Sequence, residues 1–128
     1  HLPSASASAA AKKELLEKAA AGYGKVVSDY RDVGHWAAQA MRSLGNVRAE
    51  QGRPDDAVAL YEKVSRKYPG EEWEVLQALK SAADLLWDAR QTARARPFYG
   101  QIVAKFSNPD EPPVVKIIVK QAGKRARE

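Results

Sequence analysis

The chain has no cysteine, one methionine and two histidines in 128 residues. Without cysteine there is neither a disulfide framework nor a thiolate metal site, and the redox compartment stays open. Histidine is nearly as scarce. Beyond His1 there is only His35 at an expected helix start, so neither a His-x3-His ligand pair nor a Ser-His-Asp constellation can be assembled. A glycine-rich phosphate loop is missing as well. The longest apolar run, Val114–Val115 with Ile117–Val119, is interrupted by Lys116 and falls far short of the ~20 residues that span a bilayer. These gaps predict a chain with no catalytic residues, no metal, no cofactor and no transmembrane segment.

What is present is ordinary for a single globular domain: 45% hydrophobic and 29% charged residues. The formal charge of +5 suggests nucleic acid until it is mapped. Lys116, Lys120, Lys124, Arg125 and Arg127 against Glu128 give residues 116–128 a net +4, which leaves the rest at +1. The basicity belongs to one end. The chain opens on His1, as expected of a fragment, a processed form or a tagged chain.

The most informative stretch is 41–69. Met41, Leu44, Gly45 and Val47 recur at helical spacing, as do Ala57, Val58, Leu60, Tyr61, Val64 and Tyr68, with Gly52-Arg53-Pro54 between the two sets. Gly52 suits the residue after a helix, Pro54 the first turn of the next, and Asp55 and Asp56 its positive dipole end. Two helices joined so tightly form an antiparallel hairpin.

That hairpin pattern recurs. Ala19, Tyr23, Val26 and Tyr30 spell A-x3-Y-x2-V-x3-Y; Ala57, Tyr61, Val64 and Tyr68 spell it again; Ala95, Tyr99, Ile102 and Phe106 form a third copy. Each copy follows the last by 38 residues at all four positions, a period typical of stacked repeats. Six helices are expected, near 12–31, 35–51, 54–68, 71–90, 93–106 and 112–127, after a disordered tail or tag over 1–11. Gly22 and Gly24 weaken the first helix and suggest close approach of a neighbour. Its apolar set, Leu15, Leu16, Ala19, Tyr23, Val26, Val27 and Tyr30, is expected to be buried. Pro97 predicts a late start or a kink in the fifth helix.

Met41, Leu44-Gly45, Gly52, Ala57, Tyr61, Val64 and Pro69 together resemble the tetratricopeptide repeat. In the next copy Ala82-Ala83 replaces Leu-Gly, Arg90 stands where Gly52 stood, and Ser107 replaces the proline. Val119, Ala122-Gly123 and Ala126 align with Met41, Leu44-Gly45 and Arg48, as if a further repeat begins, whereas residues 12–31 carry only the pattern of a second helix. The resemblance implies an all-α, right-handed stack of antiparallel helical hairpins over residues 12–128. The period exceeds the family's usual 34 by about one helical turn, ~6 Å. Trp36 and Trp73 fall in that added turn and are expected to cap the hairpin core. The phrases GYGKVVSDY, LYEKVSRKYPG and FYGQIVAKF resemble periplasmic bacterial modules of the Tol-Pal-associated coordinator and outer-membrane assembly lipoprotein type, which implies a periplasmic scaffold, with the cytoplasm as the other setting.

Family members bind peptides in a concave groove lined by the first helix of each hairpin. Carried onto this chain, the groove positions are Gln39, Arg42, Asn46, Gln77, Lys80, Asp84, Trp87, Lys120 and Lys124. Arg42, Lys80 and Lys120 form a column of cations suited to an acidic segment or a free C-terminal carboxylate. The same column also reads as solvated helix faces, with Lys80 and Asp84 an i, i+4 pair. Trp87 is either a peptide platform or core. A second function class comes from the last helix. Lys116, Lys120 and Lys124 make a stripe about 12 Å long, to which Arg125 and Arg127 add, and it could contact phosphates. No aromatic is interleaved there for base stacking. Homo-oligomerisation through the terminal helices is the third alternative.

Overall fold

A computed structural model describes residues 5–128, with side chains from Ser8 onward. Six helices follow one another: α1 (Ala5–Asp29), α2 (Gly34–Glu50), α3 (Pro54–Lys67), α4 (Glu72–Asp88), α5 (Thr92–Phe106) and α6 (Pro113–Arg127). The fold is an all-α, tetratricopeptide-like helical repeat.

The boundaries have local causes. Pro54 and Pro113 open α3 and α6, where a missing N–H costs nothing. Asp55 and Asp56 lie in the first turn of α3, and Arg66 and Lys67 in its last, each matched to the dipole. Helix α2 ends in a Schellman turn: Gly52 N–H donates to the Ala49 carbonyl at 3.0 Å and Arg53 N–H to the Arg48 carbonyl at 2.9 Å. Helix α4 ends the same way, with Arg90 donating to Trp87 at 3.0 Å and Gln91 to Leu86 at 2.9 Å. The turn needs a left-handed residue, so Gly52 has φ +72° and Arg90 is forced to +63°.

Consecutive helices pack side by side, and α2 also approaches α4. The core lies in the middle of the stack, where Met41, Val64, Leu76, Leu79, Leu86 and Ile102 are fully buried. Gly45 is dictated by packing: a Cβ there would lie 2.6 Å from Cε1 of the buried Tyr61 ring. At the next copy Ala83 fills the same place and is completely buried.

Several expectations are corrected. The tail placed at residues 1–11 is helical from Ala5, because the alanine-rich stretch favours helix and contains no breaker; residues 1–4 lie outside the described residues. Among the described side chains of α1 only Ala20 is buried, while Leu15 and Tyr23, and Tyr30 just past the helix, are exposed, since among the described residues only α2 covers this helix. Gly22 and Gly24 have nothing within 4 Å of an added Cβ, so no helix approaches there. Trp36 and Trp73 are 53% and 51% exposed rather than caps of the core, because they sit in the first turns of α2 and α4. Helix α5 starts at Thr92 and runs through Pro97, whose ring lies on the exposed side.

Candidate functional site

The first helices of the hairpins are α2, α4 and α6, and the sequence-predicted groove residues lie on them. On α2, Gln39 and Asn46 are exposed and Arg42 is half-buried. On α4, Gln77, Lys80, Asp84 and Trp87 are half-buried, and on α6 Lys120 and Lys124 are exposed.

The cation column does not stand as three free charges. Arg42 Nε donates to Glu74 Oε2 at 2.5 Å, and the Glu74 side chain is only 6% exposed. Lys80 Nζ donates to Asp84 Oδ2 at 2.7 Å across one helical turn. Burial explains the first pair: Glu74 enters the α2–α4 contact and a carboxylate there demands a partner. Only Lys120 of the three is an exposed cation without an ion pair among the described residues.

Tyrosines tie the hairpins to this face in a repeated way. Tyr61 Oη donates to Asn46 Oδ1 at 2.6 Å, and 38 residues on Tyr99 Oη donates to Asp84 Oδ1. Burial pushes the Tyr61 hydroxyl above its ordinary pKa, with the Arg42 charge opposing. Burial, then the hydrogen bond to Asp84, pushes Tyr99 up to about 12.

The second site is more elaborate because α6 contributes to it. Arg125 Nη1 donates to Tyr99 Oη at 2.6 Å and lies 3.3 Å from Asp84 Oδ1. Its guanidinium stands 5.0 Å from the Trp87 ring centroid and 5.6 Å from that of Tyr99. Trp87 meets Tyr99 edge-on, centroids 5.8 Å apart at 79°. The bond to Tyr99 holds the Arg125 pKa above its ordinary value. Asp84 is thereby answered by two cations, Lys80 and Arg125, and Arg125 also feels the charge of Asp88, one helical turn on from Asp84.

Arg125 was expected in the phosphate-contacting stripe, and the structure removes it to this cluster. Lys116, Lys120, Lys124 and Arg127 remain exposed on α6. The roles of Arg125 and Glu74 were not read from the sequence. Arg42 and Glu74 are 32 residues apart, outside any periodic pattern, and α6 follows α4 at a spacing that differs from 38.

Residues 39–70 match the family model described as tetratricopeptide repeat. That stretch is similar to a tetratricopeptide repeat. It contains the Gly45–Tyr61 contact and the Tyr61–Asn46 bond, both within α2 and α3. No curated protein and no solved structure matches the chain. Tetratricopeptide repeats generally mediate protein–protein interaction. No helix of the described residues is long and apolar enough to cross a membrane.

Proposed function

We propose that the chain is a non-catalytic scaffold that binds a peptide or protein partner along the exposed face of α2, α4 and α6. The observation that carries this is the Trp87–Tyr99–Arg125–Asp84 cluster. It packs a half-exposed indole against Tyr99 and Arg125 on the same helix as Lys80, with exposed Asn46 on α2 and exposed Lys120 and Lys124 on α6. A pre-ordered aromatic flanked by cations suits an extended acidic segment, because the side chains that bind have already lost their freedom.

The test uses fluorescein-labelled acidic peptides selected from a random library, titrated by fluorescence anisotropy. Trp87→Ala weakens binding at least tenfold, and Lys120→Ala/Lys124→Ala weakens it several-fold with a reduced salt dependence. Unchanged affinity in both variants contradicts the reading.

Polyanion binding is a second reading, favoured by the exposure of Lys116, Lys120, Lys124 and Arg127. It predicts retardation of random RNA or DNA at low salt that fades steeply as salt rises. A periplasmic envelope-assembly setting rests on the phrase resemblance alone and is tested by fractionating cells that express the native protein.

A further inference from the structure

An open cleft of about 500 Å³ lies between α1 and α2, lined chiefly by Tyr23, Val26, Tyr30, Trp36, Gln39 and Ala40. Thirty-eight residues on, these positions are Tyr61, Val64, Tyr68, Glu74, Gln77 and Ala78, on α3, its C-cap and α4. There α2 fills the equivalent place. Tyr61, Val64, Tyr68 and Glu74 are buried there, whereas Tyr23, Tyr30 and Trp36 are exposed and Val26 is half-buried; only the alanine, Ala40 and its counterpart Ala78, is buried in both places. The cleft is therefore the seat of a first helix, built to the same register and left open among the described residues.

At the opposite end, α6 is a first helix without a second helix over it among the described residues. Val119, which aligns with the fully buried Met41, is only half-buried. We infer that the α6 helix of one copy docks in the α1–α2 cleft of another, so that copies associate head to tail and continue the repeat.

The internal contacts say what would meet across this joint. Gly45 gives the Tyr61 ring its room, and the aligned Gly123 offers Tyr23 of a second copy the same bare Cα. A flexible Arg127 guanidinium, 3.2 Å from where a Gly123 Cβ would be, now covers that spot and swings off on docking. Arg42 of α2 meets Glu74 of α4. The aligned pair across the joint is Lys120 of one copy and Trp36 of the next, an exposed cation against an exposed indole face. Lys124 aligns with Asn46, which takes the hydrogen bond from Tyr61, and so reaches the Tyr23 hydroxyl. Lys116 replaces the fully buried Ala38, which makes the joint looser than the internal contacts and dependent on concentration. The joint uses two different surfaces, so a dimer leaves one of each free and growth does not stop there.

Sedimentation velocity on the whole chain tests this from micromolar to millimolar concentration. The wild type is expected to gain mass continuously beyond a dimer. Trp36→Lys sets two lysines against each other and Lys120→Glu sets a carboxylate against the indole face, so each variant alone stays monomeric. Both positions are exposed, and unchanged circular dichroism confirms the fold. An equimolar mixture of the two variants assembles again, because Lys and Glu now pair across one joint while the other is wild-type. Trp36→Lys, at the joint and away from Trp87, leaves binding of the acidic peptide unchanged, which separates this joint from the groove reading. A monomeric wild type at every concentration overturns the inference and leaves the cleft to a different helix. Assembly of either variant alone, or a mixture that stays monomeric, also overturns it.

Discussion

Arg90 holds φ +63° at the position where Gly52 holds +72°, 38 residues earlier in the chain. Both close a Schellman turn with the same pair of hydrogen bonds. Glycine adopts that backbone freely, whereas a side chain there costs roughly 1 kcal/mol. Arg90→Gly is accordingly expected to stabilise the fold by about 1 kcal/mol, a rise of a few degrees in Tm. Gly52→Ala should move Tm down by a similar amount. Thermal melts followed by circular dichroism decide both.

Three glycines separate packing from propensity. Gly45→Ala drives a Cβ into the Tyr61 ring, which is buried and tied to Asn46, so a loss of about 1–3 kcal/mol is expected. Gly22→Ala and Gly24→Ala meet nothing and should each gain up to ~1 kcal/mol of helix stability. Urea titrations of the three variants give opposite signs if the packing is as described.

Arg125 is the latch between α6 and the α4–α5 hairpin. Arg125→Ala removes two hydrogen-bond contacts and the cation over Trp87, at a cost of about 1–3 kcal/mol. Its first sign would be a red-shifted Trp87 fluorescence and faster amide exchange in α6. Arg125→Lys is not expected to restore the wild-type spectrum, since an ammonium cannot stack and donate in the same plane.

The Tyr99 hydroxyl supplies a pH dependence. Its folded-state pKa, about 12, lies above the unfolded value of 10.0, so the native state holds a proton that the unfolded chain releases. The resulting stability is complete below pH 10 and is lost as pH rises toward about 12. Unfolding measured across that window should show a decline that is smaller in Tyr99→Phe. An equal decline in both would contradict the assignment.

Much of this architecture was legible because its buried positions recur. The 38-residue register of Ala57, Tyr61, Val64 and Tyr68 locates α3 and α5 and their partners, and the same register applied to Gly52 picks out Arg90. Periodicity does not say whether a partner is present to cover a face. Tyr23 and Tyr30 carry the same letters as Tyr61 and Tyr68 and yet are exposed, because the seat they line is open. The ion pairs were illegible for a different reason. Arg42 finds Glu74, and Arg125 finds Asp84 and Tyr99, only once helices distant in sequence are stacked. Groove transfer thus overcounted the free cations.

The central claim is that a partner binds across Trp87. The chain has three tryptophans, and their indole N–H resonances are assigned by substituting each in turn. In a nitrogen–proton correlation spectrum of dilute, monomeric protein, a selected acidic peptide is expected to move the Trp87 indole signal in proportion to occupancy. The Trp73 signal, on the first turn of α4, should stay in place. Saturating binding that leaves Trp87 unmoved contradicts the account.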